Sequence, residues 1–124
     1  MDARYAFRAR VRLEPRDDDV TLDPATFETR CSLEAADPGE EGWLFFRDTL
    51  WRGEIGDDEY GRRLFTEKLG VEVESVEFAA LHTDEEYFEA LKAEIERDLE
   101  PFRAENVDEV ISKYLGSSVM VEDG

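Results

Sequence analysis

Residues 3–14 alternate without interruption, with Ala3, Tyr5, Phe7, Ala9, Val11 and Leu13 on one side and Arg4, Ala6, Arg8, Arg10, Arg12 and Glu14 on the other. A period of two marks a strand with one face buried. Pro15 and Arg16-Asp17-Asp18-Asp19 then read as a loop. Residues 26–35 alternate again, Phe27, Thr29, Cys31, Leu33 and Ala35 against Thr26, Glu28, Arg30, Ser32 and Glu34. Together the two runs predict an antiparallel hairpin that sets arginines opposite glutamates. Residues 71–81 predict a third strand. Its apolar phase slips between Val73 and Val76, which implies a bulge near Glu74-Ser75.

The densest aromatic stretch, Trp43-Leu44-Phe45-Phe46-Arg47-Asp48-Thr49-Leu50-Trp51-Arg52-Gly53, reads with the helical period instead. Asp37-Pro38-Gly39-Glu40-Glu41 offers a cap, a proline for the first position and acids for the positive end of the dipole. Gly53 offers a stop. Wound at roughly 100° per residue, Trp43, Leu44, Phe46, Leu50 and Trp51 share one side, with Phe45, Asp48, Thr49 and Arg52 outside it. Asp48 and Arg52 are spaced to pair. This stretch is expected to organise the core, with Trp51 buried. Arg47 projects from the apolar side, either packed beside the tryptophans with a carboxylate partner or facing a ligand.

Three further helices follow. Residues 57–69 turn Tyr60, Leu64, Phe65 and Leu69 inward and stop at Gly70, although Gly61 weakens the run. Thr83-Asp84-Glu85-Glu86 is a capping box, with Thr83 as the cap, opening a helix to about Leu99 on the stripe Tyr87, Phe88, Leu91, Ile95, Leu99. Pro101 breaks it. Asn106 caps a last helix carrying Val107, Val110, Ile111, Tyr114 and Leu115, and Gly116 ends it before a short edge strand at Val119-Met120-Val121. This order does not alternate as a parallel α/β fold does. It predicts one α+β domain over residues 1–124, an antiparallel sheet of three to four strands with about four helices on one face. A ferredoxin-like arrangement would need a different element order.

Charge changes the picture of the surroundings more than that of the fold. The 124 residues carry 33 acidic against 15 basic side chains, a net charge of −18, and only Lys68, Lys92 and Lys113 are lysines. Self-repulsion of that size strains a small fold in dilute buffer. At 1 M salt the Debye length falls to about 3 Å and the strain largely disappears. The composition therefore predicts a salt-rich cytoplasm. The rival, an acidic protein that meets a basic partner, would concentrate its charge in a tail or block, and the sequence shows neither. The single cysteine, Cys31, excludes an intrachain disulfide and fits a reducing compartment. No apolar run approaches a membrane span.

The candidate chemistry is sparse. His82, the only histidine, has no nucleophile or metal-ligand spacing beside it. Cys31 sits on an apolar strand face, where a free thiol behaves as a small hydrophobe. Asp17-Asp18-Asp19 and Asp57-Asp58-Glu59 lack the alternating ligands and central glycine of a calcium loop. No catalytic set, metal site or cofactor motif is expected. The arginine strip Arg4, Arg8, Arg10, Arg12 is the one concentrated positive feature. It reads as a cross-strand ladder with Glu28 and Glu34, as a face covered by another subunit, or as an anion site. Nucleic acid is disfavoured, because phosphate contacts weaken steeply with salt.

Leu50-Trp51-Arg52, within Phe46-Arg47-Asp48-Thr49-Leu50-Trp51-Arg52-Gly53-Glu54, resembles the signature of the LWR-salt family, small acidic proteins of salt-loving archaea. The resemblance implies a halophilic cytosolic protein in which Leu50, Trp51 and Arg52 matter; it implies no activity. The leading expectation is a non-enzymatic domain that self-associates or binds a protein partner, with Arg47, Trp51, Arg52, Arg8, Arg10 and Arg12 as the candidate binding residues. The rival is a small enzyme or anionic small-molecule binder using Arg47, Trp51, Arg52, Glu54 and His82.

Overall fold

The computed structural model describes residues 1–122. In chain order it comprises β1 (Ala3–Arg12), β2 (Thr26–Glu34), α1 (Phe45–Thr49), β3 (Leu50–Trp51), β4 (Glu54–Ile55), α2 (Asp58–Leu69), β5 (Glu72–Asp84), α3 (Glu85–Arg97), a 3-10 turn at Glu100–Phe102, α4 (Val107–Leu115) and β6 (Val119–Glu122). Four strands form one sheet in the order β2-β1-β5-β6, while β3 and β4 pair as a separate hairpin. The mixed α+β class is as the sequence predicts. One edge departs from it: β6 runs parallel to β5. The long return through α3 and α4 permits this, since a parallel neighbour needs a crossover of a dozen residues or more.

The period-two strand β1 sits at the centre of the core. Ala3, Tyr5, Phe7, Ala9 and Val11 are all buried, and the alternate arginines are exposed. Helices cover the buried side only. Phe7 meets Phe65 of α2 at 4.7 Å between ring centroids, and Tyr5 meets Phe45 of α1 at 4.7 Å. Phe45, expected outside the stripe, is therefore part of the packed layer. The bulge predicted near Glu74-Ser75 is present, because Arg10 faces Ser75 while Val11 faces Val73. A second one skips Ala79 between Ala80 and Phe78.

The arginine ladder differs in its partners. Register places Arg4 opposite Glu34 and Arg10 opposite Glu28, but Arg8 faces Arg30. The close ion contacts reach the other way, from Arg12 to Glu74 at 2.7 Å and from Arg8 to Glu77 at 3.4 Å on β5. These pairs are largely solvated, so each contributes little.

Asn106 caps α4 as the sequence predicts, and Asp57, which the sequence places inside the helix, caps α2. Asp57 accepts from the Tyr60 amide at 3.1 Å and Asn106 from the Glu109 amide at 2.8 Å. On α2, Phe65 is buried and Leu64 half-buried, whereas Tyr60 and Leu69 are exposed, contrary to the expected stripe. Gly61, which weakens the helix locally, is required by packing. A Cβ there would lie 3.1 Å from Ile55 and 3.2 Å from Val76. For α3 the cap is Asp84, one residue later than expected, accepting from the Tyr87 amide at 2.7 Å. Thr83 instead stays in β5, which is prolonged by its pairing with β6.

Tyr87 is buried and donates its hydroxyl to the Ala36 carbonyl at 2.7 Å. Burial first, and the Asp37 charge second, push its pKa up from 10.0 to about 12. Tyr5 is also raised, chiefly by burial. Both groups hold their proton more tightly when folded, so their contribution is complete below about pH 10 and is lost as pH rises towards 12. The melting temperature in molar KCl is expected to fall across that alkaline window. Tyr87→Phe should flatten part of the fall.

Candidate functional site

The aromatic stretch is not one long helix. Residues 37–44 form turns, with Gly39 at φ 86° and Gly42 at φ 88°, and the helix itself is only Phe45–Thr49. Leu50-Trp51 then leaves as a strand and returns as Glu54-Ile55. Arg52 and Gly53 between them have φ of 53° and 81°. Two positive values at the centre of a two-residue loop describe a type I′ turn, the one whose twist suits a hairpin.

The turn's purpose is visible at the end of α4. A helix leaves its last four carbonyls without internal partners. Here all four are satisfied: Ser112 by Gly116 N–H, Lys113 by Arg52 N–H at 2.8 Å, Tyr114 by Gly53 N–H at 3.0 Å, and Leu115 by Ser118 N–H. The hairpin tip thus serves as a C-terminal cap in trans. Contact is backbone to backbone, because a Cβ on Gly53 would lie 3.1 Å from the Leu115 carbonyl oxygen.

This arrangement divides the tripeptide. Leu50 is buried, and the Arg52 backbone caps α4. Trp51 is 45% exposed, so the expectation that it fills the core is overturned. Its indole stands edge-on to Tyr114 at 6.0 Å and forms one wall of an open groove of about 610 Å³. Arg52, Glu109, Ser112, Lys113 and Gly116 complete the lining. The Arg52 guanidinium lies 5.7 Å and the Lys113 ammonium 5.8 Å from the indole centroid. Lys113 is held by the Phe102 carbonyl at 2.9 Å, and Glu109 accepts from the Glu105 amide at 3.0 Å. Two cations therefore face the groove against one carboxylate, with Lys113 and Glu109 each holding a backbone group.

The other candidates lie elsewhere. Arg47 sits on α1, where Nε and Nη2 donate to its neighbour Asp48 at 3.0 and 2.9 Å; Asp48 is thus paired with Arg47 and not with Arg52. Arg10 and Arg12 lie on the open face of the sheet, while Arg8 lines a separate cavity with Gly53, Glu54, Asp58 and Glu77. His82 bonds Glu122 through Nδ1 at 2.8 Å and, like Arg47 and Glu54, does not line the groove. Burial pushes the Cys31 thiol up, away from thiolate character. Among the described residues, no three His, Cys, Asp or Glu gather as a metal site. Lys113 and Glu109 escaped sequence reasoning. The available signal was scarcity, one of three lysines kept in the last turn of an amphipathic helix.

A family model described as LWR-salt protein matches residues 1–124. The chain belongs to the LWR-salt family. Neither a curated protein nor a solved structure matches it. For the LWR-salt fold, the geometry assigns Leu50 and the Arg52 backbone to folding and leaves the Trp51 and Arg52 side chains displayed. Among the described residues, no helix is long and apolar enough to cross a membrane.

Proposed function

We propose that this LWR-salt protein is a non-catalytic recognition domain of a salt-rich cytoplasm, binding an acidic segment of a partner protein at the Trp51 groove. One observation carries the reading: an indole open to solvent, flanked by Arg52 and Lys113, on a molecule of net charge −18. Tryptophan and arginine are the side chains that most often dominate binding energy. In molar salt, screening confines charge effects to contact distance, about 3 Å. The indole's apolar area would supply affinity, and the two cations would select carboxylates that touch them.

Trp51→Ala tests this directly. It gives up an edge-on contact with Tyr114 worth about 1 kcal/mol and the burial of about half an indole, less than a fully buried aromatic residue loses, so the variant is expected to stay folded in molar KCl by circular dichroism. Used as bait in molar KCl, it is expected to lose the partner that the wild-type protein and Trp43→Phe retain. Undiminished capture by Trp51→Ala would exclude the groove as the recognition site.

The salt-rich setting has its own check. Lowering KCl lengthens the reach of repulsion among the exposed carboxylates, so the melting temperature should drop steadily from molar to millimolar salt. A melting temperature indifferent to KCl would remove that part of the reading.

A further inference from the structure

β2 is the free edge of the sheet, nine residues long, with an unbroken register to β1. The other edge is β6, of four residues, and the stretch of β5 before it, which two bulges interrupt. Long edges are normally blunted by proline, a bulge or an inward-pointing charge, because their unpaired backbone groups recruit another strand. β2 has none of these, and its helix-side positions are Phe27, Thr29, Cys31 and Leu33. Phe27 is 44% exposed there.

The direction of the free groups follows from two bonds flanking the ladder. Ala35 N–H reaches the Ala3 carbonyl and Leu13 N–H reaches the Ala25 carbonyl. Odd-numbered residues of β2 therefore turn their amides to β1. Thr26, Glu28, Arg30, Ser32 and Glu34 aim theirs outward.

We infer that β2 is the interface of a two-fold dimer, pairing antiparallel with its own copy about Thr29 and joining the two sheets into one. This goes beyond the groove and shares no residue with it. The register is chosen by charge and apolar cover. Centred on Thr29, each Glu28 faces the partner's Arg30 and each Phe27 faces the partner's Cys31. Centred on Arg30, two guanidiniums would collide. A centre at Cys31 sets Glu28 against the partner's Glu34. A centre at Ser32 pairs Arg30 with the partner's Glu34 but leaves Phe27 uncovered. Backbone hydrogen bonds and the cover of Phe27 hold the pair, since surface charge alone is worth little in molar salt.

Sedimentation of the full chain in molar KCl is expected to give the dimer mass. Arg30→Pro removes an outward-facing amide, which an edge strand tolerates, and its ring blocks the incoming strand. That variant should keep its circular dichroism while its dimer dissociation constant rises roughly ten- to hundredfold. Thr29→Cys tests the register without a proline and keeps Phe27. In the Thr29 register the two copies of position 29 form a non-hydrogen-bonded pair at about 4.5 Å between Cα atoms, within disulfide reach. Mild copper-catalysed oxidation by dissolved oxygen should link Thr29→Cys into a covalent dimer and leave the wild type unlinked. A monomeric wild type overturns the proposal. So does a dimer unaffected by Arg30→Pro, failure of Thr29→Cys to crosslink, or crosslinking of the wild type through Cys31 alone.

Discussion

Phe46→Ala is expected to leave the protein unfolded at salt concentrations where the wild type remains folded. Phe46 has no exposed surface, stacks on Phe102 at 5.9 Å, and meets Tyr114 at 5.9 Å and Trp43 at 6.2 Å. It joins α1, the 3-10 turn and α4, so no single element can collapse into the space it would leave. Truncations of this kind cost about 3–5 kcal/mol, against a whole-domain stability of about 5–15 kcal/mol. Denaturant titration in molar KCl measures the loss. The contrast with Trp51→Ala decides which aromatic residue carries the core; equal losses would return Trp51 to that role.

The second large effect is expected at Gly116, whose φ of 63° and ψ of −140° fall in a region essentially reserved for glycine. A Cβ there would lie 3.1 Å from the Arg52 carbonyl oxygen and 3.3 Å from the Gly53 nitrogen. Gly116→Ala should therefore cost about 3 kcal/mol, part conformational strain and part displacement of the turn that caps α4. Trp51 emission should change with it, because the hairpin moves. Gly70→Ala is the control. Its φ of 73° is strained too, but nothing lies within 4 Å of the added carbon, so about 1 kcal/mol is expected.

Strand periodicity transferred almost unchanged from sequence to structure. Alternation in residues 3–12 depends only on one face being covered, and the bulge at Glu74 shows as a slip in the same pattern. Asn106 was legible because a cap is a local bond. The tryptophan stretch was not, since its apolar spacing satisfies a helix while its geometry is set by a distant partner. Arg52-Gly53 is a weak form of the usual asparagine–glycine hairpin signal, and the carbonyls of α4 that reward it lie far along the chain. The arginine strip was legible as a surface feature. Its partners on β5 depend on a sheet order that alternation does not encode. The groove was half legible: Trp51 and Arg52 come from the motif, whereas Lys113 and Glu109 join them only through tertiary folding.

Mutual capping of hairpin and helix has a consequence for synthesis. As the chain leaves the ribosome, residues 50–55 emerge long before the carbonyls of Lys113 and Tyr114 that their amides will meet. Until then the indole stands without Tyr114 or Lys113 beside it. A product cut short before α4 would carry the motif yet present no groove, so on the proposed recognition of Trp51 only chains translated through that helix would be bound.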